Sequence, residues 1–255
     1  MSRSIDLNSD LGESFGPWNM GDDASMLSIV SSANIACGGH ASDPETMFET
    51  LQLAKENGVT IGAHPGYNDR EGFGRRIIPM TPPEIGRMVT AQIGALQALA
   101  TLAGTEVSYV KPHGALGNLA AADRDVADAV VDAVRRLDTR LSILAISGMQ
   151  LEHAARDAGV PVYSEIFADR GYLSSGQLVP RGQDGAMIHD PDKAADRLLA
   201  FLDSGLMPVI DGDPIELNAQ SICVHGDSDG AVAMARTIRK RLTDASVTIN
   251  GFIAR

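Results

Sequence analysis

One arrangement repeats along this chain and restricts its fold more than any other feature. A capped helix leads into a short apolar strand, and a polar side chain sits where the strand ends. The clearest copy runs from Ser42 to Tyr67. Ser42-Asp43-Pro44-Glu45 reads as a capping box with proline at the first helical position. The helix it opens extends to about Asn57, and Gly58 stops it. Val59-Thr60-Ile61-Gly62-Ala63 is short, apolar and β-branched, and it meets His64 before Pro65 and Gly66 break the strand.

Other copies follow the same order. Residues 5–11 alternate apolar and polar side chains as a first strand, which ends among Asn8, Asp10 and Glu13. Asp22 or Asp23 caps a helix to about Ser32, and a strand over 35–40 ends in His40. A polar loop over 66–80 carries Arg70, Arg75 and Arg76. Thr81-Pro82-Pro83-Glu84 opens a second capped helix to about Ala103, and the strand over 107–110 ends in Lys111-Pro112-His113-Gly114. A helix over 123–137, a strand over 142–146 and a short helix over 149–158 come next; residues 160–163 then lead to Glu165, Asp169 and Arg170. Residues 171–189, with Arg181, read as irregular. After a helix from Asp190-Pro191 to about Ser204 and a hairpin excursion over 207–217, the strand over 221–224 ends in His225-Gly226-Asp227. A helix over about 230–242 and a short apolar tail close the chain. At least six alternations of strand and helix predict an α/β fold of parallel strands joined by crossover helices. A length of 255 residues, 44% hydrophobic, fits one β/α domain over 1–255 with no linker.

Charge narrows the partners. The net charge of −12 argues against nucleic acid and against an anionic membrane surface. Two cysteines, Cys37 and Cys223, make no disulfide framework and suit a reducing compartment. The first residues lack the apolar core of a signal peptide, and no apolar run approaches the roughly 20 residues of a membrane span. The expectation is a cytoplasmic protein.

In parallel α/β folds, sites form at the C-terminal ends of the strands. Asn8, Asp10, His40, His64, Lys111, His113, Glu165, Asp169, Arg170, His225 and Asp227 all fall there, including four of the six histidines. Any one histidine in such a place is often only a hydrogen-bonded structural residue. Several titratable groups converging on one barrel mouth are what acid–base catalysis needs. Asp10 suits a base, a metal ligand or a helix cap, and Lys111 suits a fixed charge for a developing oxyanion or phosphate. Arg70, Arg75 and Arg76 suit a carboxylate clamp or a solvated loop. If a metal is held, Asp10 with two of His40, His64, His113 and His225 would suit it, with His40 and His64 as the expected pair, although no His-x-x-x-His pair marks the site. The cysteines, inside strands, read as inert thiols. No Walker sequence and no Gly-x-Gly-x-x-Gly occurs, so no standard nucleotide site is visible.

Five motifs, in order, resemble the LamB/YcsF family: residues 6–13, 34–40 (Asn34-Ile35-Ala36-Cys37-Gly38-Gly39-His40), 62–67, 110–116 and 223–227 (Cys223-Val224-His225-Gly226-Asp227). The similarity covers almost the whole chain. It implies a distorted seven-stranded parallel β/α barrel, similar to the glycoside hydrolase/deacetylase fold. It also implies ATP-dependent opening of the 5-oxo-L-proline (pyroglutamate) lactam to L-glutamate, with ATP hydrolysed to ADP and phosphate, and two further subunits, B and C. An unstrained lactam is a poor electrophile, so phosphorylating its carbonyl oxygen would supply a leaving group before water adds. On that basis Asp10 or His64 is expected as base, with Lys111 and His113 as oxyanion or phosphate contacts. Asn8, His40, Arg70, Arg75, Glu165, Arg170 and His225 are expected to bind or orient substrate. The competing readings are a stand-alone metal-dependent amide or N-acyl hydrolase of deacetylase type, and a non-catalytic carbohydrate- or lactam-binding module.

Overall fold

The computed structural model describes residues 3–226 and 230–253, so Asp227 lies outside the described residues. Strand β1 (Arg3–Leu11) is followed by the short α1 (Asp23–Leu27) and β2 (Ser32–Ala36). Helix α2 (Pro44–Glu56) leads to β3 (Thr60–His64), and α3 (Pro82–Ala103) leads to β4 (Tyr109–Val110). Two helices, α4 (Gly114–Ala122) and α5 (Arg124–Leu137), precede β5 (Ser142–Ile146), and α6 (Gln150–Asp157) precedes β6 (Val162–Phe167). Helix α7 (Pro191–Ser204) runs into an antiparallel pair, β7 (Leu206–Met207) and β8 (Ile215–Glu216). Then come β9 (Ser221–Cys223), α8 (Ala231–Asp244) and β10 (Val247–Ile249).

The strands β1-β2-β3-β4-β5-β6-β9 are parallel, and β9 pairs back onto β1, closing a seven-stranded barrel. The distortion is local. β4 has two residues, and β10 adds an eighth parallel strand along Arg3–Ile5 of β1. β1 therefore bonds β10, β9 and β2 along successive parts of its length.

The alternation of β1 sets the two faces of the wall. Leu7 and Leu11 are buried in the apolar layer between strands and helices. Asp6, Asn8 and Asp10 point the other way, into a polar barrel interior. The helices are fixed by carboxylate caps: Asp43, Asp123 and Asp190 each accept two backbone N–H groups at the starts of α2, α5 and α7. On α5, Val126, Val130, Val131 and Val134 form the buried stripe.

Four local expectations are corrected. Asp43 caps α2 instead of Ser42, which takes φ +76. α1 ends at Leu27, because Ser32 already belongs to β2. β2 ends at Ala36, so His40 stands on the following loop instead of a strand end. α4 is an addition to the expected elements; its sequence carries two glycines and no side-chain cap. Among the described residues, no helix is long and apolar enough to cross a membrane.

Candidate active site

The barrel interior is polar in layers. At the lower layer Asp6 accepts the hydroxyls of Ser31 (2.6 Å), Ser32 (2.7 Å) and Ser221. Burial outweighs these bonds and pushes its carboxyl up to about 6. One layer higher, the Asn8 amide donates to Ser221 (2.7 Å) and Glu165 (2.9 Å). Tyr109 donates its hydroxyl to Asn34 (2.7 Å), and the Asn34 amide donates to Asn8 (2.7 Å) and Asp10 (2.8 Å). A Cβ at position 62 would overlap the Tyr109 ring, which is why β3 carries glycine there.

Lys111, 5% exposed, leaves the end of β4 and ends between two carboxylates, with Nζ 3.0 Å from Asp10 Oδ1 and 2.9 Å from Glu165 Oε1. It also lies 3.1 Å from Cys223 Sγ. Burial works against the charge on Lys111, but Asp10, Cys223 and Glu165 outweigh it and hold its pKa well above the ordinary value. The two carboxylates part ways. Burial would raise Asp10, yet its contacts with His64 and with the Lys111 ammonium hold it well below the usual range. For Glu165 burial wins over Lys111, and its pKa is raised. One ammonium fully neutralises only one of two buried carboxylates, so Glu165 is the one that holds a proton more readily.

Beside Asp10 stands a group of imidazoles. His64 Nδ1 donates to the Lys111 carbonyl (2.6 Å), and His113 Nε2 donates to the Phe73 carbonyl (2.8 Å). Their other nitrogens face each other, with His64 Nε2 3.0 Å from His113 Nδ1. Asp10 Oδ2 lies 3.3 Å from His64 Nε2, and Glu13 Oε1 lies 3.6 Å from His113 Nδ1. His40 stacks on His113 at 3.5 Å and places Nε2 3.0 Å from Glu13 Oε1. Burial, reinforced by neighbouring imidazoles, pulls His40 well below the usual imidazole range and His113 down to about 3, so both rings are neutral. Gly66 makes room for the stack, since a Cβ there would stand 2.8 Å from His40 Nδ1.

Across the mouth, His225 Nδ1 lies 2.8 Å from both oxygens of Asp169. Burial would raise Asp169, but the His225 contact holds it below the usual range. These groups surround a cavity of about 450 Å³. Asp10, Glu13, His64, Lys111, Glu165 and His225 form its polar lining, and Leu144, Ile146, Met149 and Leu178 its apolar lining. Arg75, Arg170 and Arg181 also face it.

The structure thus brings Asp10, His64, Lys111, His113, Glu165, Arg75, Arg170 and His225 to one cavity. Asn8 lies beneath it, tied to Glu165 and Lys111, and His40 lies behind His113. Arg70 is displaced from its expected place. It is exposed, its guanidinium donates to the Gly38 carbonyl (3.0 Å) and covers the Phe15 ring at 3.9 Å, and it does not line the cavity. Arg76 is ion-paired with Asp69. Arg170 is buried and donates to the carbonyls of Val179 (2.6 Å) and Ala186 (3.1 Å), so it fastens the irregular segment, and burial draws its pKa down to about 10. Of the expected metal ligands, His40 and His64 lie with Glu13 and His113 in a group whose donor atoms are within 4.8 Å of one another, and Asp10, whose Oδ1 is engaged by Asn34 and Lys111, keeps Oδ2 3.3 Å from His64 Nε2. Burial pushes the Cys37 thiol up to about 12 and raises Cys223 too, so neither is a ready nucleophile. Glu13, Asn34 and Arg181 join the site without a role predicted from sequence. Asn34 is signalled by its polar side chain just before the apolar Ile35-Ala36, and Glu13 by following Asp10 at the end of the first strand.

Comparison with known proteins gives a consistent picture. The sequence profile of the LamB/YcsF family matches residues 5–254. The A subunit of 5-oxoprolinase from Azorhizobium caulinodans is 52% identical over 249 residues, covering 98% of this chain and 98% of the relative. The crystal structure of the lactam utilization protein from Thermus thermophilus superposes with a TM-score of 0.91 at 41% identity, over 97% of this chain and 99% of that one. A family 18 glycoside hydrolase chitinase from Pseudoalteromonas aurantia superposes with a TM-score of 0.54 at 7% identity, over 93% of this chain and 100% of that one, a likeness of fold alone.

Proposed function

The chain belongs to the LamB/YcsF family, and from that membership we propose that it opens the lactam of 5-oxo-L-proline to L-glutamate, as the A subunit of an ATP-consuming 5-oxoprolinase. Relatives about half identical over nearly their whole length bear that name, which supports an assembly with companions. We take those companions to be two subunits, B and C, and place nucleotide binding with the assembly.

The observation that carries the reading is Lys111, fixed 3.0 Å from Asp10 and 2.9 Å from Glu165 at the wall of the cavity, with the Asp10 pKa lowered and the Glu165 pKa raised. Phosphoryl transfer from ATP to the lactam oxygen gives ADP and an electrophilic ring carbon. Water adds there, the carbon–nitrogen bond breaks with a proton delivered to nitrogen, and a second water releases phosphate from the resulting acyl phosphate. One lactam, one ATP and two waters thus become glutamate, ADP and phosphate. Lys111 suits the negative charge that grows on the carbonyl or phosphoryl oxygen. Glu165 is the proton donor to the departing nitrogen. His225, oriented by Asp169, is the base for water, an arrangement that leaves its Nε2 for the proton. Asp10 is too acidic to be that base; it holds Lys111 in place instead. Arg75 and Arg181, at the same cavity, are the cations for the substrate carboxylate.

The test is glutamate formation from 5-oxoproline by the purified chain with its companions and ATP, omitting each in turn. Turnover should require all of them and should collapse in Lys111→Met. Glutamate formed without ATP would overturn the assembly, and wild-type turnover in Lys111→Met would remove the site.

A further inference from the structure

His64 and His113 present a problem that hydrogen bonding within the chain does not solve. A backbone carbonyl only accepts, so the contacts to Lys111 and Phe73 place a proton on His64 Nδ1 and on His113 Nε2. In neutral imidazoles the nitrogens that then face each other at 3.0 Å are both lone pairs. The rings stand edge to face at 89°, with their centroids 4.9 Å apart. Carboxylate oxygens, which only accept when ionised, flank that gap on both sides: Asp10 near His64 and Glu13 near His113. Two ring nitrogens and two carboxylate oxygens thus gather at one place.

We infer that this gap binds a divalent cation, with His64 Nε2 and His113 Nδ1 as nitrogen ligands and the Asp10 and Glu13 carboxylates as oxygen ligands. Three observations carry it. Two nitrogens bound to one ion at about 2.1 Å and meeting it at a right angle stand roughly 3.0 Å apart, the spacing seen between His64 and His113. Both imidazoles have their remote N–H tied to a carbonyl, the support that fixes tautomer and ring direction in metal-ligating histidines. Hard carboxylates beside imidazoles suit zinc, manganese or cobalt(II). His40 is excluded, although its donor atom is near. Its ring is parallel to His113 within 2° at 3.5 Å, so an ion shared by both would lie well outside each ring plane, off the lone pairs. His40 is a positioning residue that donates to Glu13. The inference concerns the same cavity as the lactam reading but does not depend on that chemistry.

The alternative occupant is a single proton shared by the two imidazoles, and titration separates the two. The full chain, stripped with chelator and free of substrate, nucleotide and companions, is titrated with Zn²⁺, Mn²⁺ and Co²⁺ at pH 7.5 by calorimetry, and metal content is read after dialysis. One ion per chain should bind, and Co²⁺ should show the visible absorption of nitrogen–oxygen ligation. His113→Ala and Glu13→Gln should weaken binding by about 100-fold and 10-fold or more, while His40→Asn, which keeps a donor, should stay within about threefold. Absence of stoichiometric binding of all three ions to the wild-type chain overturns the site, as does a His40→Asn loss equal to that of His113→Ala. Neither result bears on whether the assembly opens 5-oxoproline.

Discussion

The lower and upper halves of the barrel interior are both polar, yet they are finished differently. Around Asp6, three serine hydroxyls surround one carboxyl, and the layer is closed on itself. Around Lys111, two carboxylates crowd one ammonium, two imidazole nitrogens face each other at 3.0 Å, and a cavity opens beside them. The lower layer supports the wall. The upper layer keeps charge and proton-accepting capacity in reserve for something that enters. Buried polarity alone does not mark a site; the mark is polarity left incomplete beside a cavity.

That contrast can be broken most severely at its centre. Lys111→Met should lower turnover by about 10³-fold and cost roughly 3–5 kcal/mol of stability, because two buried carboxylates lose their cation. Steady-state rates and denaturant unfolding check it. Asp169→Asn and Glu165→Gln should each cost about 10²-fold in turnover, and wild-type turnover should decline as pH rises through the raised Glu165 pKa, where the proton donor is lost. A pH–rate profile that keeps its alkaline limb in Glu165→Gln would break the assignment. Asp6→Asn sharpens the contrast from below, with turnover within about threefold of wild type and a changed pH profile of stability. Asp6 binds its proton more tightly folded, at about 6, than unfolded, at 3.8. The stability this gives is complete below pH 4, falls as pH rises to 6 and is flat above, up to about 3 kcal/mol in all. Thermal unfolding between pH 4 and 7 should lose that slope in the variant. Arg70→Ala, outside the cavity, should leave turnover within about twofold and cost about 1 kcal/mol, read by thermal unfolding.

The framework is easy to read from sequence where local signals agree. Residues 142–146 are strand as expected, and Asp190-Pro191 starts α7 as expected, because an apolar run between breakers and an acidic cap before proline each have one good outcome. Sequence misleads where two residues compete for one task. Ser42 and Asp43 both suit a cap, and the carboxylate takes it while the serine moves to positive φ. The site is legible as a set of strand ends, since the fold fixes which ends converge. Direction is not legible. Arg70 and Arg75 belong to the same loop, yet one turns to carbonyls and Phe15 while the other faces the cavity. Nor can the chain's order of residues reveal that Glu13, not Asp10, sits against His40, because that depends on how far the loop after β1 folds back.

The closure of β1 against β9 has a consequence for synthesis. Ser221 donates its hydroxyl to Asp6 across 215 positions of chain. A ribosome that has released everything up to α7 therefore holds an open trough, with its first strand an unpaired edge and Asp6 without one of its three hydroxyls. The last quarter of the polypeptide is the stave that makes the vessel watertight, and slow, late folding is built into such a seam.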